Sequence, residues 1–160
     1  MSNSSTQQDN RYLNFSLGIE YYAVPLLAVR EVVPVPETTP IPNSPKHFIG
    51  IMNLRGQVIS IIDTRIKMNI KTTNSSEEAV IIVQVGDVHV GLIVDTINRV
   101  FVVEQSELQG SEEIQSQVSN DFISGIYNQE ESLVAILDLA KVLDLKSISD
   151  TNETELPQAA

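Results

Sequence analysis

Residues 50 to 65 read GIMNLRGQVISIIDTR. A glycine-bounded turn holding one arginine, Arg55, leads into an almost purely aliphatic run that ends at Asp63. Val and Ile at this density favour extended backbone, and the Asn and Gly residues mark where the strands stop. The pattern returns later in the chain. GIYNQEESLVAILD (Gly125 to Asp138) lies over GIMNLRGQVISIID (Gly50 to Asp63) without a gap. Glycine, isoleucine, asparagine, a later isoleucine and the final aspartate coincide, and Val58-Ile59 fall on Leu133-Val134. Phe48-Ile49 and Phe122-Ile123 precede the two copies, with one residue inserted in the second. One strand–turn–strand unit used twice predicts two similar β lobes. The first turn carries Leu54-Arg55-Gly56 and the second Gln129-Glu130-Glu131. A shared scaffold with different turn chemistry marks the Arg55 turn as specialised.

Outward from this unit, the middle of the chain is a series of short β-branched runs: YLNFSL, YYAVP, AVIIVQV, VHVGLIVD and VFVVE. Gly, Asn, Asp or Pro separates them, as in a barrel or sandwich of many short strands. VQVGDVHVG reads as a hairpin turning at Gly86-Asp87. Its second strand sets Val88, Val90 and Leu92 against His89 and Gly91, which predicts one exposed face. Two stretches have helical spacing. Pro25 to Val32 opens with proline and places Leu26, Val29 and Val33 on one side, and Asp138 to Leu145 opens with a capping aspartate before Leu139, Val142 and Leu143. Between Val33 and Pro45, five prolines in 13 residues make a stiff extended crossing. Residues 1–10 and 147–160 are polar, with too little apolar content to order themselves alone, so the expected domain runs over 11–146.

With 42% hydrophobic residues in 160, the chain has material for one compact domain or two lobes sharing a core. A net charge of −11 would repel nucleic acid and anionic membranes alike. The absence of cysteine removes disulfides, thiolate metal sites and a cysteine nucleophile, and suits a reducing cytoplasm. The N-terminus has neither a basic region nor an apolar run, so no signal peptide is expected, and no stretch approaches the roughly 18 apolar residues of a membrane span.

Catalytic and metal readings find little support. His47 and His89 are 42 residues apart and neither has an adjacent second ligand. Asp63 and Asp138 sit at matching repeat positions at strand ends. A carboxylate-pair hydrolase would use two such groups, yet equivalent positions in separate lobes read better as one cap used twice. Asp95 is expected to close a strand in the same way. No serine lies in a G-x-S-x-G context, and no Walker or dinucleotide loop is present. The acidic segment Glu107 to Asp121 reads as a solvated connection. No cofactor is expected.

NLRG (Asn53 to Gly56), preceded by VREVVP and followed by VGLIVDTINRV, resembles the CheW-like family of chemotaxis adaptor proteins. The likeness runs from about Arg11 to Leu145. It implies a mainly β protein of two small five-stranded, SH3-like barrels around a shared hydrophobic core, with short helices near 25–32 and 138–145. A chain made almost wholly of this domain is similar to the family's stand-alone adaptors rather than to the kinases that carry it as a regulatory domain. The resemblance implies a non-catalytic cytoplasmic scaffold at membrane-bound receptor arrays. Its partners would be the cytoplasmic tip of a methyl-accepting chemoreceptor and the regulatory domain of a CheA-type histidine kinase, in chemotaxis or related pilus or phototaxis signalling. Arg55 matches the family arginine at the receptor-binding surface, and Gly50 and Gly56 its flanking glycines. Val29 and Glu31 match a valine and a glutamate of that region, the glutamate pairing with the arginine, and Val100 matches a further receptor-contact position. Kinase-contact residues form no short motif. The chain departs from many members in placing Ser60 where they have proline, which is expected to alter a strand edge.

The residues alone also allow a second reading of the same lobes. Arg55 could be pinned by Glu31 merely to order the proline-rich crossing. The groove between lobes could bind a small molecule or support a minor hydrolase, which predicts a sizeable pocket with convergent polar groups.

Overall fold

The computed structural model describes residues 10–71, 76–110, 122–129 and 132–143. Among the described residues, eleven strands and two short α-helices follow in chain order. They are β1 (Arg11–Leu17), β2 (Glu20–Pro25), β3 (Val29–Pro34), β4 (Phe48–Leu54), β5 (Gln57–Asp63), α1 (Thr64–Lys67), β6 (Ala79–Val85) and β7 (Val88–Val94). Then come β8 (Thr96–Val102), β9 (Leu108–Gly110), β10 (Ile123–Gln129), β11 (Ser132–Leu137) and α2 (Leu139–Leu143). The strands form two sheets, ordered β8-β1-β2-β11-β10-β9 in the first lobe and β3-β6-β7-β5-β4 in the second. The five expected strands recur in each, and the three-residue β9 adds a sixth at one edge of the first lobe.

The repeat is present to the residue. β4 pairs with β5 through Gly50–Ile61, Asn53–Val58 and Leu54–Gln57, and β10 pairs with β11 through Gly125–Ile136, Asn128–Leu133 and Gln129–Ser132. Each outer strand bulges just before its glycine. Each inner strand then runs parallel to the second strand of a hairpin, β5 along β7 and β11 along β2. The Asp63 amide donates to the His47 carbonyl and the Asp138 amide to the Phe122 carbonyl, both at 2.8 Å. Phe48 therefore corresponds to Ile123, so the one-residue insertion suggested by the two phenylalanines is not there. Glu130 and Glu131 of the second turn lie outside the described residues.

Three apolar clusters fill this frame. Met52, Ile59, Ile61, Val80, Ile82 and Ile93 fill the second lobe. Ala23, Phe101, Val103, Tyr127, Val134 and Ile136 fill the first. The largest cluster draws from both, with Phe15, Leu17 and Val24 of the first lobe against Ile81, Val83, Leu92 and Met68 of the second, joined by Leu139, Val142 and Leu143 of α2. The shared core thus lies between the lobes.

Local expectations fared unevenly. Pro25 to Val32 is not a helix: a single 3-10 turn (Leu26–Ala28) leads directly into β3. Val29, Val32 and Val33 are β-branched, and pairing with β6 wins over a marginal helical spacing. The Gly86-Asp87 hairpin forms, but β7 has no open face. It runs between β6 and β5, and from Val90 onward every residue is buried. Ser60 is likewise no edge residue, being buried with Ile51 on one side and Val90 on the other. The proline-rich crossing is not extended throughout: it meets β4 through a Thr39–Ile51 bridge and then turns at Pro42-Asn43 and at Lys46-His47. The short elements α1 and β9 are additions that the sequence pattern did not suggest. Leu145, most of Glu107 to Asp121 and nearly all of both tails lie outside the described residues.

Candidate functional site: the Arg55 turn

β4 and β5 are joined by a loop of two residues, Arg55 and Gly56. Both have positive φ, 51° and 85°, as a tight hairpin matching the twist of its strands requires. Asn53 Oδ1 accepts from the Gly56 amide at 2.9 Å and locks the turn. Space around the position of a Gly56 Cβ is open, so within the chain this glycine serves backbone conformation and not packing. Arg55 is the unusual member, because left-handed backbone costs an ordinary residue about 1–2 kcal/mol.

Its guanidinium reaches Glu31 on β3. Nη2 donates to Oε1 and Oε2, both at 2.9 Å, and Nη1 approaches Oε2 at 3.4 Å. The two side chains remain 65% and 35% exposed. An ion pair this wet is worth about 0–1 kcal/mol, which does not recover the backbone cost. The pair thus presents a charged fork, one face of it in solvent.

The remaining candidate positions divide. Gly50 belongs to the scaffold: a Cβ there would stand 2.5 Å from the Thr39 carbonyl oxygen, where the crossing bridges to β4. Val29 is half-buried at the start of β3 and packs against the shared core. Glu31, Arg55 and Gly56 meet at the hairpin tip, whereas Gly50 lies in the same lobe farther back along β4. Val100 is not with them in that sheet. It lies on β8, an edge strand of the first lobe, opposite Leu13, and is 47% exposed.

A second cluster escaped the sequence reading. Asp63 does cap α1, its Oδ1 accepting from the Arg65 amide at 3.0 Å, and Asp138 faces the Lys141 amide at 3.4 Å. Arg65 itself is buried among carboxylates. Nη2 donates to Asp63 Oδ2 at 2.9 Å, and Nη1 donates to Glu78 Oε2 and Asp95 Oδ1, each at 2.6 Å. Hydrogen bonding to Asp63 first, then Glu78 and Asp95, holds the guanidinium above its ordinary range against the opposing effect of burial. The only sequence hint was an arginine two residues beyond a strand-closing aspartate. Among the described residues no three His, Asp or Glu side chains are placed to hold a metal ion. The seam between lobes does carry a concavity of about 370 Å³, but Leu17, Ile19, Tyr22 and Ile70 make it apolar, with Glu20 and Lys71 its charged residues. It lacks a convergent carboxylate pair.

The CheW-like domain model matches residues 11–147. The chain belongs to the CheW-like domain family. Among its relatives is a chemotaxis protein CheW from Treponema pallidum, 31% identical over 141 residues, covering 85% of this chain and 83% of that one. The Bacillus subtilis chemotaxis protein CheW is 31% identical over 134 residues, covering 83% and 86%. The fold is similar to that of the scaffolding protein TtCheW from Thermoanaerobacter tengcongensis, with a TM-score of 0.79 at 27% identity over 88% of this chain and 96% of that one. This family member is a chemotaxis scaffold of the CheW type and not an enzyme. No helix among its described residues is long and apolar enough to cross a membrane.

Proposed function

We propose that the chain couples methyl-accepting chemoreceptors to a CheA-type histidine kinase, and that the Arg55 turn of the second lobe meets the receptor tip. One observation carries this reading. An arginine is kept in left-handed backbone, and its exposed pair with Glu31 does not repay the cost. Backbone strain of this kind is retained where a surface is read by a partner. In this reading Arg55 and Glu31 form the polar contact, Gly56 lets the partner approach, and Gly50 and Val29 hold the hairpin and β3 in place. Val100 offers an apolar contact from the other lobe. The working unit is the single domain over 11–146, placed at receptor arrays by its partners and using no cofactor. Two lobes give two faces, one for the receptor and one for the regulatory domain of the kinase.

Co-sedimentation with receptor-bearing membranes, parent beside Arg55→Glu, tests the proposal. Retention of the parent and loss of the variant, both with the same far-UV circular dichroism, support it. Equal retention of the two would remove Arg55 from the contact.

A further inference from the structure

The fold repeat does not explain the cluster around Arg65. Counting on from matched pairs, Arg65 corresponds to Ala140, and Asp95 corresponds to Leu27, because Ser60–Val90 and Ala135–Tyr22 are equivalent. The first lobe forms the same strands and the same short helix with Asp138 in the place of Asp63, but without the arginine and without the carboxylate of Asp95. The barrel frame therefore does not need them.

Their position points elsewhere. Asp95 is the residue where the chain leaves β7 of the second lobe for β8 of the first. It is 1% exposed, and its second carboxylate oxygen accepts from the Gly18 amide at 2.6 Å. Gly18 lies in the β1–β2 turn of the first lobe. The Asp95 amide donates in turn to the Ser16 carbonyl of β1 at 3.1 Å. One carboxylate thus holds the arginine of one lobe and the hairpin of the other. Around it α1 touches the first lobe repeatedly. Lys67 Nζ stands 5.5 Å from the centre of the Phe122 ring, and Met68 enters the shared core. A Cβ on Gly18 would meet Ile70 at 3.0 Å and the Lys71 carbonyl at 3.1 Å, so hairpin and α1 exit are in close contact.

We infer that Arg65 and Asp95 are positioning residues that set the angle between the two lobes. Apolar packing across the shared core is non-directional and tolerates small rotations. A fork held by Asp63 and Glu78 and aimed at one carboxylate does not, because its hydrogen bonds fail within a few tenths of an ångström and a few tens of degrees. In this proposal the buried ionic cluster serves uniqueness of arrangement, as buried polar groups do in some other folds. The functional consequence rests on the adaptor reading above: faces on two lobes keep a constant separation for two partners. The angle itself does not depend on that reading.

The chain has no cysteine, so two introduced cysteines are the only labelling sites. Spin labels at Val58→Cys and Leu133→Cys occupy equivalent exposed positions, one in each lobe. Their separation is measured by double electron–electron resonance in the parent and in Asp95→Asn and Arg65→Lys. Asparagine keeps an acceptor for Gly18 and removes the charge, whereas lysine keeps the charge and removes the fork. The expected result is a broadened or shifted distance distribution in a variant whose circular dichroism is that of the parent. An unchanged distribution in the folded variants overturns the inference. Loss of folding in both overturns it too, by making the cluster part of the frame. No partner takes part, so failure of the receptor or kinase proposal leaves the result intact.

Discussion

The Arg55 guanidinium joins the two opposite edges of the second lobe's sheet. Arg55 follows β4, Glu31 lies in β3, and these strands stand at the two ends of the order β3-β6-β7-β5-β4. No ladder pairs them directly. The sheet curls until they meet over the Met52–Ile93 cluster, and the ion pair spans the gap at the rim. Charge at the mouth and backbone strain in the turn are two aspects of one device.

Stability and binding should separate at this turn. Arg55→Asn supplies a residue that tolerates positive φ in an Asn-Gly hairpin, and is expected to raise stability by about 1 kcal/mol. Receptor retention should fall at the same time. Urea unfolding beside the co-sedimentation assay reads both. A variant that loses stability would mean that the Glu31 pair outweighs the strain.

The glycines of the motif should differ. Gly50→Ala drives a Cβ into the Thr39 backbone and is expected to cost about 2 kcal/mol or more. Gly56→Ala meets open space and carries only the conformational cost, about 1 kcal/mol. Comparable midpoint shifts in thermal unfolding would contradict this ordering.

Removing the buried fork should be far more damaging than removing the exposed one. Arg65→Met leaves Asp63 and Asp95 charged and without their main partner, at an expected cost of about 3–5 kcal/mol. Arg55→Met should change stability by no more than about 1 kcal/mol. Raising salt from low to molar concentration should weaken only the Arg55 contribution, since the Arg65 cluster is shielded from solvent. Denaturant titrations of the two variants at two salt concentrations check all three statements.

Tyr22 gives the chain an alkaline signature. Burial, aided by the nearby charge of Glu20, pushes its hydroxyl up to about 12 from the usual 10.0. The unfolded chain then loses this proton before the folded one. Stability from this group is complete below pH 10 and declines as the pH rises toward 12. The loss is at most roughly 3 kcal/mol, and Tyr22→Phe should flatten that part of the profile. An identical decline in the variant would assign it to other groups.

How far the sequence carried the reading depended on range. Gly50–Asp63 and Gly125–Asp138 announce their hairpins because strand, turn and strand are contiguous, and the repeated aspartate already marked two caps. The Glu31–Arg55 pair owed more to resemblance than to local pattern, as 24 residues separate the partners. The Arg65 cluster was not legible. Asp63, Glu78 and Asp95 converge only once the second lobe has closed, Gly18 joins them from the first, and a strand-closing aspartate does not show that it will hold a buried arginine. At Leu26–Val33 the spacing fitted a helix and a strand alike, and the decision belonged to β6, whose free edge needed a partner. Val88–Leu92 alternates as a half-exposed strand would, yet β7 is flanked by its hairpin partner β6 and by β5, and no window of sequence contains the parallel pairing to β5.

The path of the chain between lobes has a further consequence. β3 to β7 complete the second lobe from one unbroken stretch, Val29 to Val94, whereas the first lobe takes β1 and β2 from the start of the chain and β8 to β11 from its far end. As the ribosome delivers the polypeptide, the second lobe can close while the β1–β2 hairpin still waits, its edges unsatisfied, for a parallel partner in β11 some hundred residues away. Loop closure over that distance is slow to find and late to be rewarded. The nascent hairpin is then the segment most exposed to wrong pairing, and the delivery of β11 is the step that seals the fold.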